Sequence, residues 1–581
     1  MTTAPTDSLL VADIGSVTTR AALLDIVNGQ FRFVALGEAP SSVAPPFGDM
    51  SEGVRHALDH LGQITGRAFL DEDERLILPA RADGSGVDAF TATVSAGEPL
   101  RAVLVGLMPN ISLASAQRLA TTSYVRVVEL FGLGDRRRED QQLDALLHAR
   151  PEVVIISGGT ENGSQAAVLR LAETVALAAQ LMPETARPEI LFAGNSAARE
   201  KIKTLFANLC HVEVANNLRP ELDDEDVASA GRGLAKMYEH LRLKRMAGYN
   251  EMSQWRGGGS ITPAANAFGN VVRFLGKTAD GKNRALGVDL GASSTAVAAS
   301  FADNLWLTVR ADVGVGHSAS NLLHHVPLEN VTRWLPEGLS ADDAHDYIFN
   351  KSIHPATLPH EARELYLEHA LACECLLLAV SAAQTGWPAS ASGLLPQFDR
   401  IIGTGAALAR APKAGQAALM MLNGLQPTGI TQLILDWHVI APALGAAAAL
   451  NPVAAVQILE TDSFQTLGTA VSLVGRGRIG QTAARIKISG GDEAVDAKVP
   501  FGSIKIFRLP PDREVKVALH PAAGFNAGFG VGAAKTLTVR GGAVGLIVDA
   551  RGRPVAFPSN PAKRMAAVNQ WYRELGEYGE P

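Results

Sequence analysis

Cysteine is nearly absent: Cys210, Cys373 and Cys375 are the only three in 581 residues. An odd, sparse set excludes a disulfide framework and points to a reducing, cytoplasmic setting. Charge of one sign never accumulates either. The net charge is −7, and the tightest basic run, Arg136-Arg137-Arg138, is followed at once by Glu139 and Asp140, which argues against a nucleic-acid surface. Unbroken apolar runs are also missing. The most apolar stretch, Val439 to Leu459, is dominated by alanine and interrupted by Pro442, Asn451 and Pro452, so it reads as buried helices and not as a membrane span. The first residues lack the basic and apolar regions of a secretory signal. Glycine, by contrast, is abundant at 56 residues, and its placement carries the functional signal.

A nine-residue pattern occurs twice, 276 residues apart: Leu10-Val11-Ala12-Asp13-Ile14-Gly15-Ser16-Val17-Thr18 and Leu286-Gly287-Val288-Asp289-Leu290-Gly291-Ala292-Ser293-Ser294, each continuing into a threonine, Thr19 and Thr295. Each copy reads as an apolar strand ending near an aspartate, a small-residue tip, and a second apolar strand, which is a β-hairpin. Such a tip suits a phosphate. Small residues let backbone N–H groups approach the oxygens, hydroxyls add donors, and the aspartate can hold Mg²⁺ through water. A duplicated hairpin with matching Asp, Gly and Thr positions suggests a nucleotide held between two related halves.

The length suggests three or four domains. The first half runs from the hairpin at Leu9 through strand and helix patterns, with Val153-Val154-Ile155-Ile156 leading into Ser157-Gly158-Gly159-Thr160 and a helix from Ser164 to Leu181. Strand, glycine loop and helix is a phosphate-friendly order. A second such unit is Ile190-Leu191-Phe192 with Gly194-Asn195, and the loop Trp255 to Ser260 reads as a hinge. In the second half, a mostly helical region precedes Ile401-Ile402-Gly403-Thr404-Gly405, another strand meeting a glycine turn. Beyond residue 460 short β patterns separated by glycine and proline read as a separate module. The expected division is 9–265, 286–459 and 460–581.

The ordered set Asp13-Ile14-Gly15-Ser16, Asp289-Leu290-Gly291-Ala292-Ser293 and Ile401 to Gly405 resembles the two phosphate motifs and the adenosine motif of the superfamily of acetate and sugar kinases, heat-shock chaperone ATPases and actin. More narrowly, nearly the whole chain resembles the MutL-type accessory family associated with adenosylcobalamin-dependent glutamate mutase, unrelated to the mismatch-repair protein of the same name. Segments carrying this include Leu9 to Asp25, Ser157 to Gly163, Phe192 to Asn195, Thr262-Pro263 and Gly541 to Pro554. The resemblance implies an α/β fold with two actin-like (ribonuclease H-like) lobes around a nucleotide cleft, ATP and Mg²⁺ as cofactors, a cobalamin-dependent mutase as partner, and a chaperone that reactivates it with a slow ATPase. It implies that Asp13 and Asp289 orient Mg²⁺ and the attacking water. Gly15, Ser16, Thr18, Thr19, Gly291, Ser293, Ser294 and Thr295 would cradle phosphates, Gly403 and Gly405 would let the chain approach adenosine, and Gly158 and Gly159 could border the same cleft. No match to a kinase's catalytic base is found. Small-molecule kinase and non-hydrolysing scaffold remain the alternatives.

Other motifs have plainer readings. Asp436-Trp437-His438-Val439-Ile440-Ala441 falls one glycine short of a cobalt-ligating pattern, which makes His438 a packed histidine at a strand end. Gly528 to Thr536 imitates a nucleotide-binding loop, but Ala534 stands where glycine precedes lysine, so it reads as a β-turn region. Cys373 and Cys375 are expected to be buried on a helix. Arg551 and Arg553 beside Asp549 read as a structural ion pair.

Overall fold

The computed structural model describes residues 7–163, 165–255, 261–278, 282–388, 393–461, 463–490, 494–511 and 513–576. The chain opens with three antiparallel strands, β1 (Ser8–Ile14), β2 (Thr18–Val27) and β3 (Gln30–Pro40), and β4 (Ala89–Val94) returns parallel to β1. β1 and β4 are buried along their whole length, as their near-continuous apolar sequences require of central strands. An insertion follows. It forms a five-stranded parallel sheet from β5 (Leu100–Gly106), β6 (Val125–Gly132), β7 (Val153–Gly158), β8 (Glu189–Gly194) and β9 (Val212–Val214), in the order β6-β5-β7-β8-β9. Then β10 (Ile261–Pro263) adds to β4 and completes the first sheet.

The second half repeats the first. β11 (Arg284–Leu290), β12 (Thr295–Phe301) and β13 (Asn304–Arg310) are antiparallel, and β14 (Arg400–Thr404) and β15 (Gly429–Leu435) add in parallel beside β11. Both sheets therefore have the strand order 3-2-1-4-5 counted within each half, omitting the insertion. The fold is the two-lobed α/β architecture expected. Two helices lie between the sheets: Ala264–Lys277, the first element after β10, and Ala441–Leu450. Phe268 and Val272 share a core with Leu9 and Val11 of one sheet and Ile402 and Ile434 of the other. The helices cross at Gly445, where a Cβ would lie 1.9 Å from the Ala267 carbonyl oxygen.

The boundary expected at residue 460 runs through a sheet. β16 (Gln465–Ser472) pairs antiparallel with β15, Gly545–Asp549 pairs with β16, and Ile504–Phe507 closes the edge, so eight strands form one sheet. Thr482–Ser489, Val495–Pro500, Glu514–Pro521 and Lys535–Arg540 make a separate four-stranded sheet, and Val474–Gly475 pairs with Phe525–Asn526 beside it in sequence. At the end of Gly545–Asp549 the buried Asp549 carboxylate pairs with Arg551 at 2.8 Å and Arg553 at 2.9 Å, and these arginines donate to Asn423 Oδ1 and the Pro427 carbonyl of the second lobe. Those arginines hold its carboxyl below the usual range against the opposing effect of burial, which confirms the structural reading.

Among the described residues, one helix, Ala362–Gln384, is long and apolar enough to cross a membrane. It lies in the second lobe's core with Cys373 and Cys375 buried; burial pushes the Cys373 thiol up to about 12. The expected helix from Ser164 is described from Ala166 to Leu181. Of the expected hinge, residues 256–260 lie outside the described residues.

Candidate functional site

The two hairpin tips face each other across a cleft of about 490 Å³ lined by both lobes. Their geometry is nearly the same. In the first, the Gly15 N–H donates to the Thr18 carbonyl at 3.0 Å, and in the second the Gly291 N–H donates to the Ser294 carbonyl at 2.9 Å. A Cβ on either glycine would lie within 3 Å of that carbonyl oxygen, which is why both tips need glycine although neither has a left-handed φ. The tips touch through Ser293, whose hydroxyl donates to Ser16 Oγ at 2.8 Å. A second bridge closes the cleft: Glu38 of β3 accepts from Arg20 Nε at 2.9 Å and from Arg410 Nη2 of the other lobe at 2.5 Å.

Asp13 and Asp289 lie at the floor, at equivalent positions on β1 and β11. Each is registered beside a threonine, Thr93 on β4 and Thr404 on β14, but the threonines behave differently. Thr93 donates to Asp13 at 2.6 Å. Thr404 turns instead to Asp436 at 2.8 Å. Asp436 is fully buried after β15 and also accepts from the Ile440 and Ala441 N–H groups at the start of the helix Ala441–Leu450, at 3.1 and 2.7 Å. Asp289 is left with no hydrogen-bond donor among the described residues. Burial above all, then the charges of Asp13 and Asp436, push its carboxyl up to about 7. Burial also raises Asp13, against the Arg20 guanidinium 3.9 Å away and the Thr93 hydroxyl.

Two carboxylates enclosed together, one lacking any donor, are an unfavourable arrangement without a cation. They fit Mg²⁺, which is held by one or two carboxylates with waters and phosphate oxygens completing its shell. Among the described residues no group of three or more His, Cys, Asp or Glu side chains could hold a metal.

Most of the expected residues line the cleft: Asp13, Gly15, Ser16, Thr18, Asp289, Gly291, Ser293, Ser294 and Gly405. Gly405 has a φ of +100°, and a Cβ there would lie 2.2 Å from the Leu290 carbonyl oxygen, so glycine is what lets the β14 turn rest on the second hairpin. Five expectations need correction. Thr19 and Thr295 are fully buried, because alternation along a strand points them away from Thr18 and Ser294; the Thr295 hydroxyl donates to the Val313 carbonyl at 2.9 Å. Gly403 lies inside β14 under Leu408 and Met421. Gly158 ends β7 of the inserted sheet and Gly159 follows it, its carbonyl accepting from Asn217 at 2.8 Å, and neither borders the cleft.

Sequence reasoning missed Arg20, Glu38, Thr93, Arg410 and the buried role of Asp436 behind the cleft. It also missed the far wall, where Lys351 donates to Glu368 at 2.8 Å beside Tyr347, which donates to the same oxygen at 2.6 Å. His438 is a packed histidine, its ring 4.7 Å from that of Phe33. Gly528 to Thr536 leads into the strand Lys535–Arg540 and no helix.

The chain is similar to "Protein MutL" from Clostridium tetanomorphum, with 20% identity over 389 residues, covering 63% of this chain and 76% of that one. Among solved structures it aligns with a glucokinase from an Antarctic psychrotroph (13% identity, TM-score 0.25, 77% of this chain and all of that one). It also aligns with the ethanolamine utilization protein EutJ from Carboxydothermus hydrogenoformans (10% identity, TM-score 0.27, covering 76% and 90%). A glycerol dehydratase reactivase gives 12% identity and a TM-score of 0.27 over 69% of this chain and 92% of that one. The model of the MutL protein family matches residues 9–463, spanning both hairpins, the insertion and the glycine turn of β14; the chain belongs to that family.

Proposed function

We propose that this protein is an ATP-dependent accessory factor that reactivates an adenosylcobalamin-dependent mutase in the cytoplasm, with a first lobe of residues 9–265 and a second lobe built on the sheet that starts at β11 closing around Mg-ATP. The observation that carries the nucleotide half is the meeting of two equivalent glycine tips, Ser16 on Ser293, in a cleft that Asp13 and Asp289 also line. Membership of the MutL family supports the mutase half.

In this reading the N–H groups and hydroxyls of both tips take the β- and γ-phosphate oxygens, and Gly405 admits the α-phosphate end. Asp13 and Asp289 would hold Mg²⁺, which would neutralise phosphate charge and offset their mutual repulsion. The carboxylates would also orient the attacking water, with Thr93 fixing the rotamer of Asp13. A terminal phosphate taken by both tips would tie the lobes, and Ser16–Ser293 and Glu38–Arg410 are the ties the chain itself supplies across the cleft. A partner that prefers one closure is thereby driven by turnover.

The test is ATP turnover with and without Mg²⁺, alone and with a glutamate mutase inactivated by hydroxocobalamin. Turnover that rises with the inactivated mutase and restores its activity is expected. ATP binding without response to any cobalamin-dependent mutase would overturn the partner assignment.

A further inference from the structure

A second cavity, of about 610 Å³, opens on one face of the second sheet along β14, β15 and β16, and shares no lining residue with the nucleotide cleft. Its volume falls in the range of small-molecule sites. The floor is the sheet face beyond the ends of the helices Ala264–Lys277 and Pro452–Leu459. Arg400 pairs in register with Gln432, Ile402 with Ile434, and Ile434 with Thr466, and alternation places all of them on that one face. Trp437, 47% exposed, and the half-buried Phe464 border the opening.

The charges distinguish this cavity from an ordinary surface groove. Two arginines reach it from different sheets, Arg400 from β14 and Arg540 from the small C-terminal sheet. Arg400 donates to Thr278 Oγ1 at 3.1 Å and Arg540 to the Pro511 carbonyl at 3.3 Å. Neither has a carboxylate partner among the described residues, whereas Arg20, Arg55, Arg67, Arg118, Arg242 and Arg333 all do. Glu460 also borders the cavity, leaving one net positive charge among the described lining residues. An unpaired guanidinium keeps its planar fork of donors for carboxylate or phosphate oxygens. The rings beside it suit a flat apolar body.

We infer that this cavity is a second binding site, for a small organic anion that joins a carboxylate or phosphate group to a planar ring, with Arg400 and Arg540 taking the anion and Trp437 and Phe464 covering the ring. The inference is independent of the nucleotide reading, because the lining residues differ from those of the cleft throughout.

The experiment is calorimetric titration of the full chain with phenyl phosphate, with excess Mg-ADP present to compete for the nucleotide cleft. Saturable binding is expected. Arg400→Gln and Arg540→Gln, on separate elements, should each weaken it by about tenfold or more, as should Trp437→Ala, while the melting temperature is unchanged. Inorganic phosphate, which has no ring to cover, should bind at least about tenfold more weakly. Absence of saturation up to about 10 mM, or equal binding by the wild type and both arginine variants, would overturn the site. Equal affinity for inorganic and phenyl phosphate would overturn the assignment of a planar ligand.

Discussion

Replacing Asp289 with asparagine should stabilise the metal-free protein while removing its response to Mg-nucleotide. The carboxyl of Asp289 is raised from an ordinary 3.8 to about 7 by burial, then by Asp13 and Asp436. A shift of that size corresponds to about 4 kcal/mol of cost when the group is ionised in the folded state. The sign follows from linkage. With the folded-state value above the unfolded one, the favourable contribution is complete below about pH 4 and is lost as pH rises through about 7. Above that, the folded chain carries the full cost. Asparagine never ionises, so Asp289→Asn should melt a few degrees higher than the wild type at pH 8 without metal, and the difference should disappear near pH 4. Thermal melts at both pH values, with and without Mg-ADP, give the full comparison: Mg-ADP should raise the wild type and leave the variant unmoved. A variant that melts at or below the wild-type temperature at pH 8 without metal would refute the claim that this carboxylate is held at an energetic cost.

The same shift predicts that Mg²⁺ affinity in the presence of ADP falls about tenfold per pH unit below 7, measurable by calorimetry; an affinity flat between pH 5 and 8 would remove Asp289 from the metal site. Gly405→Ala meets backbone at 2.2 Å with a φ of +100° and should cost about 2 kcal/mol or more with loss of nucleotide binding, whereas Gly403→Ala meets only side chains at 3.0–3.3 Å and should cost under about 1.5 kcal/mol, both read by denaturant unfolding. Asp549→Asn leaves two buried arginines without their partner and should cost about 3–5 kcal/mol. Because the Asp549 carboxyl lies lower in the folded state than in the unfolded, its contribution is present at neutral pH and lost as pH falls through the folded value, so the variant should differ least from the wild type in acid. Glu38→Gln weakens the ties to Arg20 and Arg410 and should speed release of a fluorescent ADP analogue about threefold; an unchanged rate would mean that this bridge does not hold the lobes.

Local chemistry made the hairpins legible. A tip flanked by apolar strands needs glycine and short hydroxyl residues, and these stand in the same order in both copies. The misassignment of Thr19 and Thr295 arose because a row of adjacent hydroxyls looks like one ligand set, whereas a strand sends successive side chains to opposite faces. That correction was available in the sequence. So was the buried role of Asp436, an acidic residue between an apolar strand and a helix starting near Pro442. The position of the Gly158 loop was not available, because strand, glycine and helix recur in any parallel sheet and the pattern does not say which sheet the strand joins. The cross-lobe contacts of Glu38, Arg410 and Ser293 depend on pairings between residues up to 372 positions apart, which no local spacing encodes. For the same reason the strands beyond residue 460 read as a module of their own, although β16 and Gly545–Asp549 complete the second lobe's sheet.

If one nucleotide is held by both hairpin tips at once, hydrogen–deuterium exchange with and without Mg-ATP should show simultaneous slowing at the backbone amides of Gly15 to Thr18 and of Gly291 to Ser294, lost in Asp13→Asn. Protection of one tip alone, or of the Gly158 and Gly159 loop in place of the tips, would contradict it.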